Sequence, residues 1–311
     1  MIKKSDWVTI IIRTKDRPDF LSRSLESVYS QDYEKIEIIV VNDNGVDVLS
    51  VIDHFRNLPA IDGLERKVEY VVNSRSLFRA AAANVGLSVA TGKYIGFLDD
   101  DDYFMNNHVS THVEAMKRSG KMASVSSALE SIEKFDGKIF IEKERHYIFP
   151  RQINKLAFFF FENFFPFNSV MFRKDVIDKV GRFDENIFVL EDWDFLIRLM
   201  ANYDFHRIEA TTAVFTTRSD NSNIRKSSKD DKLWRDAFMF IQKKNKLFFD
   251  KGQVTVPLSE VSEFLSLHAA EWYTLTKEND SFLGSWIYKV YKSTPYALVK
   301  KIGKKLGATR A

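Results

Sequence analysis

Tyr94-Ile95-Gly96-Phe97-Leu98 runs straight into Asp99-Asp100-Asp101-Asp102, so an apolar strand ends in four adjacent carboxylates. Such a run repels itself. It is tolerable where a cation or a solvated edge absorbs the charge, and the carboxyl ends of strands are where open α/β sheets bind ligands. If the backbone stays extended past Leu98, its two-residue period puts Asp99 and Asp101 on one side and Asp100 and Asp102 on the other, and one pair can face a metal. The plainer alternative is a solvated acidic turn whose Asp102 caps the next helix.

The sequence before this stretch repeats one arrangement. Val8 to Ile12 is an apolar, β-branched run of the kind buried on both faces of a parallel sheet. A polar turn follows, then a helix with Pro18 and Asp19 in its first turn and Phe20, Leu21, Leu25, Val28 and Tyr29 at helical spacing. Ile36 to Val41 is a second strand ending in Asn42-Asp43-Asn44-Gly45, with a helix through Val48, Leu49, Ile52 and Phe55. Val68 to Val72 is a third, followed by an alanine-rich helix, Arg79 to Ala90, expected to end on a glycine stop at Gly92. Alternating strands and helices predict an α/β fold with a mostly parallel sheet, helices on both faces and right-handed crossovers. Polar, acid-bearing turns follow the first, second and fourth strands, so their side chains can converge on one ligand.

After Asn107 the pattern becomes mixed: a helix near Val109 to Lys117, strand-like pieces at Ala123 to Leu129 and Lys138 to Ile141, and an aromatic run from Phe158 to Phe167. Leu190 to Tyr203 reads as a helix with Glu191, Asp192 and Asp194 in its first turn. Ser219 to Lys232 holds Ile224 as its one large apolar residue and reads as a mobile loop or linker. The expected organisation is a catalytic domain over 1–218, the linker over 219–232 and a helical extension over 233–311.

The composition narrows the function. At 311 residues and 45% hydrophobic content the chain can build one large domain with an appendage. It has no stretch of about 18 or more uncharged apolar residues, and its first residues lack the apolar region of a signal peptide, so it is expected to stay in the cytoplasm. The absence of cysteine excludes thiolate metal sites and a cysteine nucleophile, and leaves oxygen or imidazole to hold any metal. The net charge of +3 hides an asymmetry: seven basic residues and no acid follow Asp280, and the remainder is mildly acidic. An acidic body argues against nucleic acid as a partner.

A cation-bound diphosphate accounts for several features together: carboxylates at a carboxyl edge, Asp43 one strand-end away, and Arg75 and Arg79 nearby. Magnesium or manganese commonly bridges one or two such acids to substrate phosphates. No P-loop signature and no GxGxxG after the first strand is present, which argues against a P-loop NTPase or a classical dinucleotide enzyme. His108 and His112 are spaced to share a helix face near the acids, and a structural role is favoured over a metal role. Asp192 is either a helix-start acid stabilised by the macrodipole or a general base.

Ile10 to Pro18, Ile38 to Asn44, Thr91 to Asp102, and Gly181-Arg182-Phe183-Asp184-Glu185 followed by Glu191-Asp192-Trp193-Asp194 resemble, in order and spacing, the motifs of family 2 glycosyltransferases. The resemblance covers roughly residues 5 to 218. It implies a GT-A fold and an inverting transfer. Arg13, Thr14, Asp16, Arg17, Asp43, Arg79, Asp99 and Asp100 would then lie along the donor nucleotide. Asp99 and Asp101 would be the DXD pair, with Asp101 the direct ligand of Mn2+ or Mg2+. Asp192 would be the base that deprotonates the acceptor hydroxyl.

Two departures stand out. Many relatives read Ala-Arg-Asn where this chain has Ala82-Ala83-Asn84, and Arg79, one turn earlier, is the replacement we expect. Many also carry a His shortly after an Arg downstream of the base, whereas Arg218 here is followed by none. Some of the phenylalanines between Phe158 and Phe167 can border the acceptor cleft, although a structural core is the simpler reading. The tail, with Tyr296, Val299, Ile302 and Leu306 at helical spacing among lysines, suits an interfacial helix drawn to anionic lipid. The expectation is a transferase moving a sugar from a UDP-linked donor to a saccharide or lipid-linked acceptor, peripheral on the inner face of the cytoplasmic membrane, in polysaccharide or lipopolysaccharide assembly. A sugar nucleotidyltransferase and a non-catalytic nucleotide-binding scaffold are the alternatives.

Overall fold

The β-branched run near the start forms strand β1 (Val8–Thr14), and every residue of it is buried. Parallel neighbours on both edges explain this: β2 (Lys35–Asn42) pairs on one side, with β3 (Glu65–Val72) beyond it, and β4 (Tyr94–Asp99) pairs on the other. Strand β3 is half exposed because it ends the sheet, and Glu65, Lys67 and Glu69 along it discourage pairing with another chain.

Alternate residues of β1 serve different helices. Ile10 and Ile12 share a core with Leu21, Leu25 and Val28 of helix α1 (Pro18–Tyr29) and with Ile52 and Phe55 of α2 (Leu49–Arg56). Ile11 points the other way, onto Gly86 of α3 (Phe78–Val89), where the missing side chain lets helix and sheet touch. Each fully buried aliphatic side chain of this kind contributes about 1.5–3 kcal/mol.

The computed structural model describes residues 6–148, 158–159, 163, 165–218 and 231–250. The later strands are β5 (Tyr103–Phe104), β6 (Ala123–Phe135), β7 (Phe140–Ile148), β8 (Val170–Arg173) and β9 (Phe205–Arg218). Together the strands make one nine-stranded sheet in the order β3-β2-β1-β4-β8-β6-β9-β5, with β7 paired to β6. Pairing is parallel from β3 to β4 and mixed beyond, as the change of pattern after Asn107 predicts. The helices of this half are α4 (His108–Ser119), the short α5 (Ile177–Val180), α6 (Glu191–Asn202) and α7 (Asp231–Asp250).

The chain divides into two compact units, Met1–Arg151 with Asn163–Leu247, and Gln152–Glu162 with Phe248–Ala311. The sheet belongs to the first. Of the linker expected over 219–232, residues 219–230 lie outside the described residues, as does the basic tail, and 231–232 open helix α7.

Two expectations need correction. Helix α3 does not end on a glycine stop: Ala90 turns the backbone into an extended conformation (φ −59°, ψ 130°). Gly92 is needed for another reason, since a Cβ there would stand 2.5 Å from the Thr9 nitrogen and 2.6 Å from its hydroxyl, which donates to Glu37. The strand pieces near 123 and 138 are longer than their apolar cores suggest. They form a hairpin, β6 to β7, closed by Asp136, whose carboxylate accepts from the Lys138 and Ile139 amides, and by Gly137 at φ 94°.

Candidate active site

The four acids do not continue the strand. The Asp102 amide donates to the Asp99 carbonyl at 3.1 Å, so the chain turns, and the extended spacing expected for the acids fails at its premise. Four like charges in a row are relieved by turning to different sets of partners, with Arg17 shared by Asp100 and Asp101. Ser24 of α1 fixes the turn from beneath, its buried hydroxyl lying 3.2, 2.8 and 2.5 Å from the carbonyls of Asp99, Asp100 and Asp102.

Register sets the first partner. Arg13 and Asp99 are paired positions of β1 and β4, and the Arg13 guanidinium donates to the Asp99 carboxylate at 2.6 Å. Arg79, from the first turn of α3, takes the other Asp99 oxygen at 3.2 Å. Burial opposes the charge of Asp99, but these two guanidiniums overcome it and hold its carboxyl well below the usual range. Arg13 also reaches the buried Glu191 at 3.1 Å. Burial raises the Glu191 pKa, adjacent Asp192 adds to the rise, and Arg79 and Arg13 resist it.

The other three acids separate. Asp100 turns inward to the Thr14 hydroxyl at 2.8 Å and to Arg17 at 3.1 Å, and burial followed by the Asp101 charge pushes its carboxyl up. Asp101 accepts from Arg17 at 3.0 Å and Arg218 at 3.1 Å through one oxygen, Oδ2. Asp102 caps no helix. It accepts from the Thr216 amide at 2.8 Å and Asn168 at 3.0 Å, and burial, reinforced by Asp101, raises its pKa well above the ordinary value.

Asp43, at the end of β2, organises the neighbouring loop. Its two oxygens accept from Asn73, Ser76 and the amides of Leu77 and Phe78 at 2.7 to 3.0 Å, which fixes the start of α3 and so places Arg79. Burial acts against this carboxylate, and the four donors together still lower its pKa. Asp16 accepts from the Val46 amide at 2.8 Å and joins the loops after β1 and β2.

These groups line two cavities that share Arg17, Arg79 and Asp99. One, about 320 Å3, lies over the ends of β1 and β2 and is bounded by Thr14, Asp16, Asp43, Asp100 and the aromatic rings of Phe78 and Phe188. Those two rings meet edge to face at 5.3 Å and are 60% and 50% exposed, leaving apolar faces at the cavity mouth. The other, about 160 Å3, holds Asp101 and Asp192 with Phe97, Phe167 and Trp234. All eight residues expected along the donor therefore border the larger cavity, while Asp99, Asp101 and Asp192 meet in the smaller. Phe167 borders the smaller cavity and also packs on Phe97 at 5.1 Å, so it belongs to both cleft and core. His108 and His112 line neither. They are fully buried and bonded to Thr212 and Ser124 at 2.8 and 2.7 Å, in keeping with the structural reading.

Four non-glycine residues adopt left-handed φ among the described residues: Asp16 (60°), Asn44 (57°), Phe78 (67°) and Leu190 (65°). Each opens a loop or helix at this edge of the sheet. For Phe78 and Leu190 the conformation is costly, and such outliers collect where geometry matters more than comfort. Leu190 immediately precedes α6 and sets the first turn that carries Glu191 and Asp192. Asn84, next to Ala83 where the arginine is missing, clamps the turn before α6 by bonding Phe183 through both backbone atoms and Glu185 at 2.8 Å.

The sequence from residue 9 to residue 181 matches the family described as Glycosyl transferase family 2. The chain belongs to that family. Among relatives of this glycosyltransferase, the uncharacterized glycosyltransferase YwdF of Bacillus subtilis is 27% identical over 219 residues, 70% of this chain and 77% of YwdF. The Escherichia coli protein WfaP, a UDP-Glc:alpha-D-GlcNAc-diphosphoundecaprenol beta-1,3-glucosyltransferase, is 30% identical over 123 residues, 39% of this chain and 46% of WfaP. The crystal structure of S. aureus TarS 1–349 in complex with UDP-GlcNAc superposes with a TM-score of 0.59 at 17% identity, over 85% of this chain and 72% of TarS. The fold of the family 2 glycosyltransferase described here is accordingly GT-A. No helix among its described residues is long and apolar enough to cross a membrane.

Sequence reasoning gave no part to Thr216, Phe188 or Trp234, and for Asp102 it offered a helix cap that the structure does not form. Their partners lie in other elements, and only the Glu191-Asp192 pair carried a local signal that the α6 turn faces the acids.

Proposed function

We propose that the protein is an inverting glycosyltransferase that takes a sugar from a UDP-linked donor and transfers it to a saccharide, free or lipid-linked, in cell-surface polysaccharide assembly. The observation that carries this reading is the shared wall of the two cavities: Asp192 stands in the smaller one together with Asp101 and Asp99, and Asp99, with Arg17 and Arg79, lines the larger one as well. A nucleoside diphosphate in the larger cavity would present its sugar to Asp192.

In this reading the base stacks on Phe78 and Phe188, and Arg17 and Arg79 face the diphosphate. Mn2+ or Mg2+ fits beside Asp101. Among the described residues its Oδ1 accepts no hydrogen bond, and no cluster of three or more metal-binding side chains exists, as suits a cation held by one or two protein oxygens and the substrate. Asp99, with both oxygens held by arginines, would contribute less directly. A divalent cation bound there supplies charge neutralisation on the departing diphosphate.

Asp192 uses Oδ1 to accept the Trp193 amide at 2.8 Å, which orients the carboxylate and leaves Oδ2 for the acceptor. Oδ2 takes the proton of the acceptor hydroxyl as its oxygen bonds to the anomeric carbon. The bond from that carbon to the diphosphate oxygen breaks with its electron pair leaving on UDP, and the centre inverts. The activity of WfaP on a diphosphoundecaprenol-linked sugar supports a lipid-linked acceptor as a class.

The test is UDP release from a panel of UDP-sugars with and without manganese, by wild type and Asp192→Asn. A general base accounts for about 10²–10⁴ in rate. The expected result is manganese-dependent release that falls by that factor in the variant while UDP still binds. Equal turnover by Asp192→Asn would remove Asp192 as the base.

A further inference from the structure

The smaller cavity has one wall that the family match does not reach. Leu190, Asp192, Phe215, Thr216, Thr217 and Trp234 all lie past residue 181, and Trp234 is the one that comes from α7. We propose that Trp234 is the platform on which a neutral acceptor pyranose lies, so that the site recognises the apolar face of that sugar. This inference rests on the transferase reading above and gives its acceptor a chemical class.

Helix α7 is built to hold such a platform still. Trp234, Phe238, Ile241 and Asn245 recur at helical spacing on one face, and Ile241 and Asn245 are fully buried. Phe238 stacks on Trp193 at 5.5 Å, the residue next to Asp192. Lys244 locks the helix by donating to Asp184 at 2.7 Å and to the buried Asp194 at 3.1 Å. The two sequence motifs that flank Asp192 thus fasten α7 as well as the catalytic turn, and the indole is set against the same cavity as the candidate base.

The other rings there cannot serve as well. Phe97 and Phe167 are 2% and 9% exposed and Phe215 packs against the core, whereas Trp234 is half-buried on a helix outside that core and lines the cavity. Opposite it stand Asp101 and Asp192. Carboxylates that accept from hydroxyls, facing an aromatic plane that accepts C–H hydrogens, match a ring with one apolar face and polar edges. Four acids, Asp99, Asp101, Asp102 and Asp192, against Arg17 and Arg79 disfavour an anionic sugar, and a neutral hexose or N-acetylhexosamine is the class proposed.

The experiment is saturation-transfer NMR with methyl β-D-glucopyranoside and methyl β-D-N-acetylglucosaminide, in the presence of UDP and manganese, on wild type, Trp234→Phe and Trp234→Ala. The hydrogens on C1, C3 and C5 share one face of these rings. They are expected to saturate more strongly than those on C2 and C4 in wild type and Trp234→Phe. In Trp234→Ala the pattern is expected to vanish with about a tenfold loss of glycoside affinity, while UDP affinity stays within about twofold. A pattern unchanged in Trp234→Ala, no saturation of either glycoside by wild type, or a loss of UDP affinity in place of glycoside affinity would overturn the platform. Glycoside binding by a protein that fails to bind UDP would leave the platform standing and sink the donor reading instead.

Discussion

Arg13 donates to Glu191 at 3.1 Å across 178 positions of sequence, while its other nitrogen holds Asp99 at 2.6 Å. One guanidinium therefore ties the strand that carries the acids to the helix that carries the candidate base. Arg13 and Glu191 are buried while the Asp99 side chain is 31% exposed, so Glu191 in particular has no water to fall back on when the arginine is lost.

Arg13→Ala is expected to destabilise the protein by about 3–5 kcal/mol, because it leaves two carboxylates, one of them buried, facing one another. Urea denaturation measures this. A loss below about 1 kcal/mol would mean that Arg79 alone neutralises both acids.

Asp101→Asn is expected to keep the fold and lose the cation effect on nucleotide binding. Ligand at a hundredfold its dissociation constant stabilises by about 2.7 kcal/mol, a shift of several degrees in melting temperature. That shift, seen with UDP and manganese in wild type, is expected to become independent of manganese in the variant. A manganese-dependent shift that survives would place the cation elsewhere.

The two buried histidines are expected to cost stability as the pH drops below 6.5, the ordinary histidine value. Burial lowers the pKa of His112 to about 3, and burial with the neighbouring imidazole puts His108 well below its ordinary value too. The unfolded chain binds both protons from about pH 6.5 downward while the folded chain does not, so each histidine costs about 1.4 kcal/mol per pH unit in that window. Asp100, Asp102 and Glu191 act with the opposite sign, since their raised pKa values, about 7 for Asp100, add stability as the pH falls toward their ordinary values. Melting curves between pH 7.5 and 5 on wild type and His112→Leu separate the two effects: relative to wild type, the variant is expected to gain stability as the pH falls, whatever its absolute stability.

Much of this was legible because it is local. The β-branched runs at Val8 and Ile36, Pro18 in the first turn of α1, and the acids after β1, β2 and β4 each announce themselves within a few residues. The conformation of the acids was not. A two-residue period assumes an extended strand, and the self-repulsion that makes the stretch conspicuous is relieved by turning. What Asp102 binds was equally hidden, because Thr216 and Asn168 reach it from 114 and 66 positions away. Gly92 was misjudged for a related reason: the constraint on it comes from Thr9, on a neighbouring strand. Trp234 lies beyond a stretch that reads as a linker, and its place beside Asp192 depends on Lys244 and Phe238 finding partners in other elements.

The four left-handed residues around the cleft have a consequence for how such a protein can be altered. Phe78 and Leu190 hold conformations that glycine would adopt without cost, and Phe78 and Asp16 border the larger cavity while Leu190 borders the smaller. Selection for heat tolerance alone would change these positions early, and each gain would slacken the hinge from which Arg79 or Asp192 is aimed. The durable places to harden this enzyme are therefore far from its mouth, along the half-exposed β3 edge and the outer faces of the helices, where a substitution can add endurance without blurring aim.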